Sequence, residues 1–129
     1  MLEDLGGVTS QLVKLALDAS VMRHNVTANN IANANTPGFK PQKLEFEQYL
    51  TLEAQKTSAT DALLKQQIDY LRPQLESGSF IVPSGDDKVQ LDMEMKELAQ
   101  NTIRYQALLS GLSKRSSIIA MAISGQGGK

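Results

Sequence analysis

Two stretches of the sequence, one toward each end, carry apolar residues at alternating steps of three and four. Such a spacing averages about 3.5 residues and places the side chains along one side of an α-helix, as in the seam of a coiled coil. Because a lone helix cannot bury a narrow apolar stripe, the pattern predicts two long helices that pair with each other. The first stretch has Leu5, Val8, Leu12, Leu15, Ala19, Met22 and Val26, and its phase continues through Asn29 and Asn33. The second stretch has Leu91, Met95, Leu98, Thr102, Tyr105, Leu109, Leu112, Ser116, Ile119 and Ile123.

Local signals set the predicted ends of these helices. Pro37 disfavours helical backbone in the residue before it, and Gly38 favours a turn, so the first helix is expected to end by residue 36. Asp86 and Asp87 suit the start of the second helix, where they complement the helix dipole, and Gly125 suits its end. The predicted limits are 1–36 and 89–125 for the two helices of an inner coiled-coil domain, 37–88 for a connecting segment packed outside it, and 126–129 for a flexible tail.

The connecting segment shows no repeat, and its elements are predicted to be short. Residues 44–50 suggest a short helix, and residues 61–71 suggest another, with Asp61 as its N-cap and Pro73 closing it. Residues 78–83 predict a short edge strand. The predicted fold is therefore all-α and elongated. Its long N- and C-terminal helices form an antiparallel coiled coil, and its irregular middle segment contains short helices and a short strand.

No set of residues in the sequence points to catalysis or to a bound cofactor. The chain has 13 basic and 14 acidic residues, and this balance argues against a nucleic-acid-binding protein, which normally has a basic face. The absence of cysteine excludes disulfides and thiolate metal sites. The single histidine, His24, is expected to be a polar surface or interface residue. We therefore predict a protein that is not an enzyme and has no catalytic residue, cofactor or metal.

An unusual asparagine-rich segment lies at the end of the first predicted helix. Four of the seven residues 29–35 are asparagine, although asparagine competes for backbone hydrogen bonds and forms helices poorly. Capping of the helix end accounts for Asn35, but it does not account for Asn29 and Asn33 on the heptad seam, where amides fix register and partner number. We therefore predict a subunit interface that comprises Asn29, Asn30, Ile31, Asn33, Asn35, Thr36, Pro37 and Gly38.

The same segment carries a resemblance to a known family. Residues 25–40, which read NVTANNIANANTPGFK, closely resemble the amino-terminal signature of flagellar rod and hook proteins. Residues 89–108, which include VQLDMEM and RYQAL, resemble the matching carboxyl-terminal part. The resemblance implies a structural subunit of the flagellar basal-body proximal rod, which assembles helically with other rod proteins and transmits torque for motility. The short chain is most similar to proximal rod proteins of the B type, with the C type as the alternative.

The resemblance also implies a location and a set of partners. Members of the family leave the cytoplasm through the flagellar type III export gate without a cleaved signal, and they function in the rod on the periplasmic side. The acidic residues that follow Met1 agree with the lack of a secretory signal. The implied partners are other copies, other rod proteins, the adaptor between rod and membrane ring, and the export gate. Neither nucleic acid nor direct membrane insertion is expected.

Two features leave alternatives open. Phe46 and Leu50 resemble a motif by which the export gate recognises early rod and hook substrates, but the same spacing places both on one face of any short helix. Packing of Phe46 and Leu50 against the core therefore explains this spacing equally well. Heptad repeats are also typical of a soluble helical adaptor or chaperone of the export system, which is the alternative function.

Overall fold

The computed structural model of the chain describes residue 8 and residues 10–49 and 61–110. Within these ranges the elements in chain order are helix α1 (Ser10–Ala32), strand β1 (Gln42–Leu44), helix α2 (Asp61–Glu76), strand β2 (Ile81–Pro83) and helix α3 (Leu91–Ser110). Residues 47–49 are also helical. The predicted tail at 126–129 and the predicted positions Leu50, Leu112 and Ile119 lie outside the described residues.

The two long helices α1 and α3 lie side by side and antiparallel. Three side-chain contacts join them, and the α3 residue number falls as the α1 residue number rises: Ser20 bonds to Asn101, Arg23 pairs with Glu97, and Asn30 bonds to Glu94. The predicted pairing of N- and C-terminal helices is therefore confirmed. Helix α1 ends at Ala32 and gives way to turns that continue to Gly38, whose φ of 78° is the left-handed conformation that glycine adopts readily.

The hydrophobic core lies between α1 and the middle segment. Helix α1 contributes Leu12, Leu15 and Ala19, and the seam residues Val8 and Met22 are half-buried against the same cluster. The cover of this seam differs from the predicted one, because the other core residues belong to the middle segment and none belongs to the described part of α3. Helix α2 repeats the helical spacing with an apolar stripe of its own, and two aromatic rings complete the cluster: Leu44, Phe46, Leu64, Ile68, Leu71, Leu75 and Phe80.

Strands β1 and β2 form a two-stranded antiparallel sheet beside this core. The register places Gln42 opposite Pro83 and Leu44 opposite Ile81. Strand β2 lies within the predicted strand at 78–83. Strand β1 is a correction to the helix predicted at 44–50, because Leu44 ends a strand and helical backbone begins only at residue 47. Two of the three residues of β1 are exposed, so this strand leaves no alternating pattern in the sequence.

Helix α2 corrects a second boundary. The prediction that Pro73 closes this helix is wrong, since α2 continues through it to Glu76. Leu75, which is 1% exposed, lies in the core beyond the proline, and its burial favours the extra turn. After the helix, the Ser77 amide donates to the Pro73 carbonyl at 3.0 Å, and Gly78 has a φ of 84°. Helix α2 therefore ends at a glycine turn of the usual C-terminal kind.

No helix in the described ranges combines the length and the hydropathy that crossing a membrane requires.

Candidate subunit interface

The structure divides the asparagine-rich segment into residues that bond within the chain and residues that face outward. Asn30 belongs to the first group and is 1% exposed. Its Nδ2 donates to the Gln42 carbonyl at 2.8 Å, and its Oδ1 accepts from the Gln42 amide at 3.1 Å. Nδ2 also donates to Glu94 Oε1 at 3.0 Å. One buried amide therefore joins α1, β1 and α3, and it pairs with the backbone of β1 as a neighbouring strand would.

A second group of polar side chains closes the end of α1. Asn33 Nδ2 donates to the Asn29 carbonyl at 2.9 Å, and Thr36 Oγ1 donates to Asn33 Oδ1 at 3.1 Å. The Phe39 amide then donates to the Thr36 carbonyl at 3.2 Å. These bonds satisfy carbonyl and side-chain groups that a helix terminus would otherwise leave to water. Helix capping therefore accounts for Asn33 as well as for the turn that follows it.

Most of the remaining residues of the segment are exposed in the isolated chain, so a neighbouring molecule could reach them. Asn29 and Asn35 are exposed, as are the three residues that follow Asn35, whereas Ile31 is half-buried. The turn lies beside the loop before α3, where Lys40 Nζ is 3.3 Å from Asp87 Oδ1. The predicted role of this segment at a subunit interface stays a prediction, and the structure leaves Asn29, Asn35, Thr36, Pro37 and Gly38 accessible for it.

Within the described part of α3, both ends of the predicted seam face outward. Leu91, Met95 and Leu109 are 50%, 52% and 45% exposed, and Ile103, which lies outside the heptad positions, is 63% exposed. The residues of α3 that are buried or half-buried form another face, most of it polar: Glu94, Glu97, Leu98, Asn101, Arg104, Tyr105, Ala107 and Leu108. Of the predicted seam, only Leu98 and Tyr105 belong to this face.

The expectation that this stripe pairs with α1 inside one chain is therefore corrected for Leu91, Met95 and Leu109. The reason is that α2 and the aromatic residues near the sheet already cover the apolar side of α1. Helix α3 meets the remaining, more polar side of α1, which carries Ser20 and Arg23, and it turns its own polar side inward to match. Whether the outward stripe contacts other subunits stays a prediction.

A buried arginine, which the sequence analysis missed, ties three segments together. Arg23 donates through Nη1 and Nη2 to the two carboxylate oxygens of Glu47, and through Nη2 to the Leu44 carbonyl at 3.1 Å. Its Nε lies 3.7 Å from Glu97 Oε2 on α3. A signal for Arg23 was present in the spacing, because it lies four residues after Ala19 and three before Val26 on the buried side of α1.

A buried polar pair, also missed, lies where α1 and α3 cross near their middles. Ser20 Oγ donates to Asn101 Oδ1 at 3.0 Å, and Asn101 Nδ2 donates to the Ser20 carbonyl at 2.7 Å. Arg104 Nη1 donates to the same Asn101 oxygen at 3.1 Å. No hydrophobic pattern in the sequence marks this pair, since both residues are polar and lie 81 positions apart.

The remaining candidate residues are Phe46 and His24. Phe46 is 1% exposed, and its ring meets that of Phe80 edge to face with centroids 5.3 Å apart. This geometry is what the packing alternative for Phe46 predicts. His24 is exposed and lines a shallow groove between α1 and α3. No group of three His, Asp or Glu side chains in the described residues is placed to hold a metal ion.

Comparison with known proteins places the chain in a family. A family model described as "Flagella basal body rod protein" matches residues 16–40, which cover most of α1 and the asparagine-rich turn. The flagellar basal body rod protein FlgB of Bacillus subtilis is 32% identical over 124 residues, which are 91% of this chain and 94% of the relative. The chain belongs to the FlgB family of flagellar basal body rod proteins.

Other FlgB proteins show the same extent of similarity. FlgB of Cereibacter sphaeroides is 32% identical over 81% of this chain and 84% of its own length. FlgB of Escherichia coli is 30% identical over 76% of this chain and 80% of its own length. These matches confirm the resemblance to the B type of rod protein. No solved structure matches the chain.

Membership of the FlgB family also bears on catalysis. The relatives are named as basal body rod proteins, a structural class and not an enzymatic one. The prediction that this chain is not an enzyme is confirmed on that ground.

Proposed function

We propose that this chain is a structural subunit of the proximal flagellar rod, which assembles helically with other copies and other rod proteins and carries torque along the axle. Membership of the FlgB family supports the assignment to the rod. Within the structure, the observation that carries the proposal is the apolar stripe of α3, which faces away from its own chain. A stripe of this kind requires a partner to bury it, and neighbouring subunits of a helical assembly provide one.

The exposed apolar residues of the stripe lie toward the two ends of α3, at Leu91 and Met95 and at Leu109. The stripe starts at Leu91 and reaches Leu109, a rise of roughly 27 Å at about 1.5 Å per residue. Covering the exposed half of one such side chain stabilises a contact by on the order of 1 kcal/mol. The three residues together contribute on the order of 3 kcal/mol, so the stripe adds to an association that other surfaces must share. A second helix alongside α3 would bury the three side chains together.

We assign the outward part of the asparagine-rich segment to the same interface. Asn29 and Asn35 present amides to solvent, and the Asn35 side chain forms no hydrogen bond among the described residues. Amides in an otherwise apolar contact favour one register over others, because a shifted register leaves them without partners. In this proposal the α3 stripe supplies apolar burial, and the asparagines set the register between subunits.

The domain assignment follows from the same proposal. Residues 1–36 and 89–125 form the inner layer of the assembly, 37–88 lies outside it, and 126–129 is a flexible tail. Support comes from the way α1 is shared, with α3 on one side and the middle segment on the other. The adaptor between rod and membrane ring is a further proposed partner, and the proposed location is the periplasmic side of the basal body.

We also propose export through the flagellar type III gate without a cleaved signal, with Phe46 and Leu50 as the recognised motif. The burial of Phe46 in the folded chain has a direct consequence for this proposal. A gate that contacts the Phe46 ring has to do so before the chain folds, when the ring is accessible.

The proposed function is tested in a strain that lacks the gene, complemented with wild type, with Met95→Glu and with Gln100→Glu. Both variants add one negative charge to an exposed residue of α3, but only Met95 belongs to the apolar stripe. Electron cryotomography of the motors and swimming in soft agar are the measurements. We expect membrane rings without a rod in the deletion strain and in the Met95→Glu strain, and complete rods with wild type and Gln100→Glu.

Two results would contradict parts of this proposal separately. A complete rod and normal swimming in the deletion strain would overturn the rod function and favour the export adaptor or chaperone instead. Complete rods with Met95→Glu, at a normal protein level, would overturn the role of the α3 stripe. No observation on the described residues or among the relatives now favours the adaptor function.

A further inference from the structure

Along the contact between α1 and α3, polar residues of one helix lie opposite polar residues of the other. On α1, Val13, Ser20 and Thr27 are spaced by seven residues and are all buried. On α3, Asn101 and Leu108 have the same spacing and are also buried. The polar Ser20 meets the polar Asn101, and the apolar Val13 and Leu108 lie one heptad further along the same two faces. The polarity of the two faces therefore agrees with the observed register.

The Asn101 side chain uses both of its polar atoms at this contact. Its nitrogen donates to the Ser20 carbonyl at 2.7 Å, and its oxygen accepts from Ser20 Oγ at 3.0 Å and from Arg104 Nη1 at 3.1 Å. Ser20 is 1% exposed and Asn101 is 2% exposed, so water is not available to replace these partners. A buried amide without partners is unfavourable, whereas a satisfied one costs little.

A slide of one heptad disrupts this match in either direction. If Asn101 moved to the level of Val13, its amide would face an apolar side chain. If it moved to the level of Thr27, Leu108 would arrive beside Ser20 and leave the serine hydroxyl without its acceptor. Both alternatives bury a polar group of Ser20 or Asn101 against an apolar side chain, whereas the observed register gives both side chains hydrogen-bond partners. Among the described residues, Arg104 Nε is the one buried side-chain nitrogen or oxygen without a partner.

The other polar contacts between the two helices constrain their relative position less than Asn101 does. The Arg23–Glu97 pair is 3.7 Å apart, and the Glu97 side chain is 39% exposed. Glu94 reaches Asn30, but that amide is already bonded to the Gln42 backbone on both its atoms. Long side chains of this kind can follow a moderate shift by changing rotamer, while the short and fully buried Asn101 cannot.

We propose that Asn101 is the register lock of the helix pair, a positioning residue that fixes how far along α1 the helix α3 sits. This role of Asn101 concerns a contact within one chain and is separate from the proposed function in the rod. Its consequence is that the outward side chains of both helices, such as Val21 and Ile103, have fixed relative positions before the chain meets any partner. The shallow groove between the helices, which Ser20, His24, Asn101 and Tyr105 line, is thereby preformed.

The test measures the register directly in the full-length chain. The chain has no cysteine, so a pair of introduced cysteines provides the only spin-labelling sites. Asn25→Cys and Gln106→Cys place both labels on exposed residues that are offset along the helix axes. Double electron–electron resonance, on labelled chain diluted with unlabelled chain, then gives the distance distribution within one molecule.

We expect one narrow distance peak for the labelled wild-type chain. Asn101→Leu should add a second peak, because a slide of one heptad moves the labels by ~10 Å along the axis. Asn101→Ala is the second variant, and it is used if circular dichroism shows that Asn101→Leu has lost helix. A single peak at the wild-type distance in the folded Asn101 variant would overturn the proposal, and so would a broad distribution in the wild-type chain.

Discussion

Arg23 has a side chain that is only 10% exposed, and three groups share its guanidinium. It bonds to the Glu47 carboxylate and the Leu44 carbonyl of the middle segment, and it lies within reach of Glu97 on α3. A charge in such a place is tolerated only because its donors are used, since an uncompensated buried charge is strongly unfavourable. Removing Arg23 therefore affects the junction of three elements and not a single pair.

We predict that Arg23→Met lowers the free energy of unfolding by about 2–3 kcal/mol, which is less than the full loss for a deeply buried pair because Glu47 and Glu97 retain some exposure. Urea denaturation followed by circular dichroism measures the change. Arg72→Met is the matched control, since Arg72 pairs with Asp18 at 2.7 Å but is 31% exposed. The control should cost less than about 1 kcal/mol. Equal losses in the two variants would contradict the special role of Arg23.

The asparagines illustrate what could and could not be predicted at the scale of single residues. Their concentration marks the segment as unusual, and the rod-protein family model matches a range that includes it. The sequence could not separate Asn30, which is buried against Gln42, from Asn29, which is exposed one position earlier. The distinction depends on where β1 passes, and β1 lies on a part of the chain with no periodic signal.

At the scale of elements, the long periodic segments were predictable and the short ones were not. The heptad pattern predicted α1 and α3 and their antiparallel pairing, because many residues contribute to a long repeat. The face of α3 that was predicted from this pattern to meet α1 was wrong. Periodicity identifies an apolar stripe, but it does not indicate which surface covers that stripe. Helix α2 has a stripe of its own, and this stripe takes the apolar side of α1.

Pro73 shows how packing overrides a local rule within an element. Proline lacks the amide hydrogen that an interior helical position donates, and this usually ends a helix or bends it. Here the extra turn brings Leu75 into the core, while Pro73 itself is exposed. The burial of one leucine therefore outweighs the loss of one helical hydrogen bond.

We predict that Pro73→Ala raises the free energy of unfolding by about 1–2 kcal/mol, because alanine restores the amide and has no contact to lose at an exposed site. Thermal denaturation followed by circular dichroism should show a higher midpoint. Gln74→Ala is a suitable control, since it changes the neighbouring residue without restoring a backbone donor. An unchanged or lower midpoint for Pro73→Ala would mean that the bend at this position favours the packing of Leu75.

At the scale of the whole molecule, α1 is the central element of three layers. Its apolar side packs on α2 and the aromatic residues near the sheet, and its polar side meets α3. This arrangement leaves the apolar stripe of α3 exposed. The described chain therefore has a buried core on one side of α1 and exposed apolar side chains on the outer face of α3. In the proposed rod assembly, this surface would be the part of the chain that neighbouring subunits cover.

The layered core also bears on export, because it hides Phe46. We predict that Phe46→Ala lowers the exported fraction several-fold relative to the amount made, since the proposed gate motif loses its ring. Immunoblots of periplasmic and cellular fractions from a complemented deletion strain measure this fraction. The matched control is Phe80→Ala, which removes the other ring of the same edge-to-face pair.

The comparison of the two rings separates recognition from stability. Each substitution removes a buried aromatic ring from the core and should destabilise the fold by about 3–5 kcal/mol. If the gate reads Phe46 in an unfolded chain, loss of stability alone does not reduce export, so Phe80→Ala should be exported at least as well as wild type. An equal fall in both variants would mean that stability, through degradation of unfolded chain, controls the exported amount. Phe46 would then be a core residue without a role at the gate.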